Sequence, residues 1–387
     1  MSDHLVDLAK APFWLALVVA VILLAPLARG QHRSPQFALV NIGFIAVLLG
    51  WRGALVVLAG TALLWLLAQA SRKTRHALVW TAIGGLLCGV LFILHKRPGL
   101  SAALKLEAVN PILAAIGFSY VALRAIELFR AMYEKAFEAP TFLETINFLL
   151  PFHMLAAGPI QAYEDFVAQK DRPAASLTPV VALEGLERIA TGLFKKFVLA
   201  FAVQQLFLTD FTATGFYWFV EVQLFSIWLY IDFSAYSDIA VGIGKLLGVH
   251  TPENFNNPYG AHNLIVFWER WHISLSLWIR RNLFYPIQLA LMRRTDGRHM
   301  LLCGAIGFGI SFVLCGLWHG VAWNFVVWGA MHAVGLTVVN SYRKFLTDRL
   351  GSKGVKRYLT NPYFKWLGIA ITFEYVVFSN LNVFYRY

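Results

Sequence analysis

The stretch GALVVLAGTALLWLLAQA (53–70) runs for eighteen residues without a charge. About that length of apolar chain crosses a bilayer as a helix, and lipid offers the backbone no hydrogen-bond partner outside the helix itself. Working outward, further candidate spans occupy 12–28, 37–51, 77–94, 109–133, 141–157, 187–208, 216–247, 300–318, 321–342 and 363–385. The alternation of an outer-membrane barrel strand is absent. Composition agrees: 58% of the 387 residues are hydrophobic and 14% are charged, against roughly a quarter charged in a soluble domain. The chain is therefore expected to be all-α and polytopic, with about ten to eleven membrane helices. The runs 37–51 and 141–157 are short for a simple crossing and suit half-helices or segments that enter and return.

The net charge is +12. The basic residues sit in short clusters between apolar runs, which marks topology and attraction to anionic head groups. Nucleic acid is not an expected partner. Arg29 and Arg33 follow the first run, and Arg72, Lys73 and Arg75 follow the third. The positive-inside rule then places both loops in the cytoplasm and the N-terminus outside. Asp3 and Asp7 give the first residues the wrong sign for a signal peptide, so none is expected. Cys88, Cys303 and Cys315 lie in apolar runs and read as small buried hydrophobes, not disulfide partners or metal ligands. The polar loop 169–179 and the basic connector 352–361 are too short to hide a soluble domain. Residues 1–387 read as one membrane domain.

Three segments do not belong in lipid. The first is NFNNPYGAHNLIVFWERWHISLSLWIRRNLFYPIQ (254–288). A helix over about 263–281 would align Leu264, Trp268, Trp271, Leu275 and Trp278 on one stripe. His272 would sit at the stripe's edge, and Glu269, Arg270, Arg280 and Arg281 elsewhere. The second is GLWHGVAWNFVVWGAMH (316–332), with His319 and His332 in apolar sequence. An ionisable side chain within the membrane points to a polar cavity or to function. Gly316 and Gly320 permit close backbone approach beside His319. On a continuous helix, His319 and His332 would stand about 20 Å apart, so at most one would be central to chemistry. The third, YIDFSAYSDIAVGIG (230–244), carries Asp232 and Asp238 on different helix faces, which suits holding helices together.

These segments resemble the membrane-bound O-acyltransferase family. NFNNPY, FWERWHISLSLWIRR, GLWHG and WGAMH are most similar to its bacterial branch, whose members include D-alanyl transferases of teichoic acids and acetyl transferases of alginate, cellulose and peptidoglycan. AAGPIQAYEDF (156–166), YIDFSAYSDIAVGIGKLLG (230–248) and GFSYVALRAIELFRAMY (117–133) extend the resemblance over 117–342. It implies a ring of helices around a central tunnel. It implies His319 as the catalytic histidine and His272 as a second histidine beside it. Trp271, Ser274, Ser276, Trp318, Asn256, Arg280, Arg281 and His332 become candidates for substrate binding or the tunnel wall. It also implies a thioester donor, on a phosphopantetheine carrier protein or coenzyme A, arriving from the cytoplasm. No tightly bound cofactor is expected. The acceptor would be a hydroxyl of a teichoic-acid-like or polysaccharide envelope polymer, with an accessory extracytoplasmic transferase as a further partner. The location implied is a bacterial inner membrane. Two positions depart from the family: Arg281 stands where Asp is usual, and Ile160-Gln161 follows Pro159 where a basic residue is common.

Two mechanisms fit an acyl transfer: direct attack with His319 as base, or a covalent acyl group on Ser274 or Ser276. The rival reading is a proton-coupled transporter or flippase, for which intramembrane histidines and aspartates would serve as relays. The chain shows none of the repeat symmetry common in transporters.

Overall fold

The computed structural model describes residues 11–24, 34–106, 108–170, 177–207 and 215–384. Every regular element among them is helical. Among the described residues six helices are long and apolar enough to cross a membrane, and a pair bent by 77° adds a seventh if it is one span. Ten to eleven spans are expected, and of the expected runs, 12–28, 141–157 and 363–385 fall outside those six or seven. Runs 37–51 and 53–70 are the two arms of one element, broken at Gly50. Run 141–157 is no span: its helix ends at Leu149 and a short 3-10 turn follows. The run 12–28 continues past Leu24 into residues outside those described, as do Arg29 and Arg33.

Contacts divide the chain into two compact units. The first holds residues up to 193 and 236–252. It contains α1 (Ala11–Leu24), α2 (Ser34–Lys73), α3 (Ala77–Lys96), α4 (Pro98–Ala103), α5 (Val109–Ala115), α6 (Phe118–Tyr133), α7 (Phe142–Leu149), α8 (Tyr163–Lys170) and nearly all of α9 (Pro179–Phe194). Its core joins α2, α3 and α6 through Ala68, Cys88, Ala125, Leu128, Phe129 and Met132. The α5–α6 pair is the bent one, turning at Gly117. Large apolar side chains remain on the outside, such as Leu39 and Leu86, as lipid contact requires.

The stretch 150–160 has no α-helix and is largely buried here, and its peptide groups need partners. Arg124 supplies them. Its guanidinium donates to the carbonyls of Leu149, Met154 and Pro159. The carboxamide oxygen of Asn41 accepts the Phe152 amide, and its nitrogen donates to Asn147. A capping box between Thr141 and Glu144 starts α7.

The second unit holds 194–235 and 253–387. It contains α10 (Phe201–Phe207), most of α11 (Phe216–Leu247), α12 (Leu264–Trp268), α13 (Ile273–Ile279), α14 (Tyr285–Arg294), α15 (Met300–His319), α16 (Trp323–Thr360) and α17 (Pro362–Phe384). A π-helical turn, Lys195–Ala200, precedes α10, and another, Arg280–Phe284, joins α13 to α14. The helices α15 and α16 form a tight hairpin, and α17 packs along α16.

Candidate active site

All three histidines singled out from the sequence fall in the second unit. The continuous helix expected over 263–281 does not form. After α12 the chain turns at 269–272, and His272 adopts a left-handed conformation (φ 41°, ψ 55°) at the start of α13. For a residue with a side chain this backbone costs about 1–2 kcal/mol, so its surroundings must impose it. They do so through NFNNPY. The Ile273 amide donates to the Asn254 carbonyl at 2.9 Å, and the Asn256 amide to the Arg270 carbonyl at 3.0 Å. The Ser274 hydroxyl donates to the Asn254 side-chain oxygen at 2.6 Å. This short ladder brackets the turn on both sides of His272.

The break redistributes the expected stripe. Leu264, Trp268, Leu275 and Trp278 are buried, whereas Trp271 is half-buried. Trp271 instead stacks on Phe267 and meets Phe255 edge-on, with centroids 5.6 and 5.2 Å away. Ser276 donates to the Trp271 carbonyl.

His272 is 1% exposed. Phe233 lies perpendicular to its ring at 4.8 Å, and Trp318 lies 6.3 Å away. Burial, reinforced by nearby His319, holds this imidazole well below the ordinary histidine range, so it is neutral near pH 7. His319 ends α15 and is exposed. Its ring meets Trp318 at 4.8 Å and Trp328 at 5.2 Å. An exposed imidazole beside a buried neutral one is an arrangement in which the first can exchange a proton with a hydroxyl and the second can only donate or accept a hydrogen bond.

His319 and His332 do not share a helix, which corrects the separation inferred from sequence. The chain turns at 320–322, and α16 folds back along α15. Gly316 makes this possible: a methyl group there would overlap the Phe325 carbonyl. Trp328 then lies edge-on to both histidines, 4.6 Å from His332. His332 is itself 1% exposed. Trp268 Nε1–H donates to its Nδ1 at 3.3 Å, which assigns the proton to Nε2. Nε2–H then donates to the Ser379 hydroxyl at 3.0 Å, and Ser379 donates to the Val376 carbonyl. Both ring nitrogens of His332 are thus engaged within the helix packing.

Asn256 is exposed and takes part through its backbone, while the buried asparagine of the segment is Asn254. Arg280 faces Glu269 at 3.6 Å, and Arg281 is half-buried on the π-helical turn. Sequence reasoning missed Asn254, Phe233, Trp328 and Asn380. Trp328 Nε1 donates to Asn380, and Asn380 donates to Ser226, whose carbonyl accepts from Tyr259. The only sequence signal for these was their place in the quoted segments, and Asn380 had none. Asp232 pairs with Lys196 in the second unit, and Asp238 with Arg188 in the first. Both aspartates therefore join helices, as expected.

The sequence profile of the membrane-bound O-acyltransferase family matches residues 41–380. The teichoic acid D-alanyltransferase of Bacillus subtilis is 29% identical over 300 residues, 75% of this chain and 73% of its own. The probable alginate O-acetylase AlgI of Azotobacter vinelandii is 31% identical over 72% of this chain and 56% of its own. The peptidoglycan O-acetyltransferase of Helicobacter pylori is 33% identical over 54% and 40% respectively. The match spans the broken helix with His272 and the hairpin with His319, so this multi-pass membrane protein belongs to the membrane-bound O-acyltransferase family and is an acyltransferase.

Proposed function

We propose that the protein moves an acyl group, D-alanyl or acetyl, from a thioester at the cytoplasmic face to a hydroxyl of an extracytoplasmic envelope polymer. In this reading it sits in a bacterial inner membrane with its N-terminus outside, and its helices surround a passage leading to His319. The donor is an acyl group on a phosphopantetheine carrier or on coenzyme A. One observation carries the assignment: exposed His319 stands near a buried, neutral His272, and the Trp318 ring lies close to both. The relatives named above act on teichoic acid, alginate and peptidoglycan, which supports an envelope acceptor.

His319 takes the proton of the acceptor hydroxyl as its oxygen attacks the thioester carbonyl. The carbon–sulfur bond breaks as the tetrahedral intermediate collapses, and the departing thiolate receives the proton from His319. His272, held neutral, orients or stabilises the oxygen that carries the transient negative charge. A direct transfer fits the serines better than an acyl-enzyme does. Ser274 donates to an amide oxygen and Ser276 to a peptide carbonyl, neither basic enough to activate a nucleophile.

The test is transfer of label from a thioester to polymer by purified protein in vesicles. His319→Ala should lower turnover by at least about 10²-fold, as loss of a general base does. Undiminished ester formation by that variant would end the assignment, as would polymer movement without any ester.

A further inference from the structure

The basic connector after the last histidine has a shape that acyl transfer does not require. As a straight helix, α16 with its 38 residues would reach about 57 Å, nearly twice the hydrocarbon thickness. It does not stay straight. Gly351 takes φ 64° and ψ 171°, a backbone open to glycine but strained for other residues. The Tyr342 hydroxyl reaches the Tyr358 hydroxyl at 3.2 Å, although on a straight helix those residues would stand about 24 Å apart. Tyr358 also packs on Phe364 at the start of α17. Residues 342–360 therefore form a helical hairpin.

The hairpin is strongly cationic. Arg343, Lys344, Arg349, Lys353, Lys356 and Arg357 are all exposed, and Asp348 is its one acid. Asp348 pairs with Lys344, and Arg349 lies over the Phe345 ring. Exposed apolar side chains are interleaved with these charges: Phe345, Leu350, Tyr363 and Trp366. The hairpin's depth follows from its neighbours. The helix α17 runs back along the apolar half of α16, with Tyr375 on the Met331 carbonyl and Ser379 on His332. The hairpin thus lies beyond the apolar length over which the two helices pack. Cations cannot stay in hydrocarbon, whereas aromatic rings favour the layer of head groups.

We propose that the 342–360 hairpin is a binding site for anionic phospholipid head groups, which anchor the end of the α16–α17 pair opposite the one that carries Trp328, His332 and Asn380. Lipid is favoured over an acidic protein because the apolar side chains are spread among the cations and the hairpin is tethered at membrane level by two helices. Each cation near an anionic surface contributes about a fivefold gain in affinity.

The experiment uses the full chain in nanodiscs, with an environment-sensitive dye on Ser352→Cys. Cys88, Cys303 and Cys315 are buried, so the dye goes to the exposed hairpin tip. Emission should shift when phosphatidylglycerol is mixed into phosphatidylcholine. The shift should vanish at about 1 M salt, where screening acts within roughly 3 Å. Combining Arg343→Gln, Lys353→Gln, Lys356→Gln and Arg357→Gln should abolish it, and Lys353→Arg with Lys356→Arg should keep it. If the neutralised protein fails to assemble, the salt titration of the parent decides. Identical emission in both bilayers would overturn the proposal, and so would a shift appearing only when an acidic carrier protein is added.

Discussion

The Ser274 hydroxyl donates to the side-chain oxygen of Asn254 at 2.6 Å, with both residues buried. The Asn254 carbonyl also accepts the amide of Ile273, the residue after left-handed His272. Truncating the fully buried Asn254 side chain removes the bond from Ser274 and also leaves a void beside the turn, which should let the turn relax and displace the imidazole. A displacement of about 1 Å can cost on the order of 10²-fold in rate. Asn254→Ala should therefore lower kcat far more than it raises the KM for donor. Ser274→Ala removes one hydrogen bond, worth about 1 kcal/mol, and should keep turnover within about tenfold of the parent. Peptide mapping of enzyme quenched during turnover should find no acyl group on Ser274; finding one would replace direct transfer with a covalent route.

The closeness of His319 to Trp328 depends on the α15–α16 approach at Gly316. A methyl group there meets the Phe325 carbonyl, a backbone atom that cannot swing aside. Gly316→Ala should cost about 1–3 kcal/mol of stability, the usual penalty for overpacking. It should also reduce turnover by moving His319 off Trp328. Thermal midpoints and rates from the same preparation check this. A variant as stable and active as the parent would show that the hairpin does not need the close approach.

The site was legible in sequence to the extent that its chemistry sits in contiguous, unusual segments. His272, His319 and His332 stood out because ionisable groups are scarce in apolar runs, and the structure gathers them in one unit. Their relationship was not legible. Apolar periodicity over 263–281 describes an ideal helix and is blind to a left-handed histidine, which is imposed by Asn254, Asn256 and the segment before it. The turn at 320–322 falls where the expected spans 300–318 and 321–342 part, but nothing in the apolar run shows that the second span folds back to put Trp328 against both histidines. The partners of Asp232 and Asp238 lie on 188–196, and side-chain pairing between helices leaves no trace in local pattern. Residues 37–70 show the converse: the break at Gly50 falls within two residues of the boundary between the expected runs 37–51 and 53–70.

Asp232 pairs with Lys196 across two helices, at 17% and 30% side-chain exposure. Loss of one partner from a fully buried pair costs about 3–5 kcal/mol. Partial exposure of this pair reduces that to about 1–3 kcal/mol for Asp232→Asn. The variant should melt earlier yet keep the turnover per folded molecule of the parent. The exchange Asp232→Lys with Lys196→Asp should recover part of the midpoint. A large loss of turnover at unchanged stability would instead give the carboxylate a place in the chemistry or in proton movement.

His153 provides the acid-sensitive element of the first unit. It lies in the 3-10 turn Phe152–Met154, outside the spanning helices, and is buried with its Nε2 3.1 Å from the Thr251 hydroxyl. Burial, together with the Arg124 charge, lowers its pKa to about 3. In the unfolded chain the same ring titrates near 6.5. Below that pH the unfolded state takes up a proton that the folded state refuses, so stability falls as pH falls. The contribution is complete above about pH 6.5 and declines by about 1.4 kcal/mol per pH unit towards the folded pKa. His272 shifts in the same direction, so a residual slope is expected without His153. The thermal midpoint of detergent-solubilised protein should therefore fall between about pH 6.5 and pH 5, and His153→Gln should flatten that fall without removing it. An unchanged slope in the variant would mean that the imidazole is already protonated in the folded protein or reaches water there.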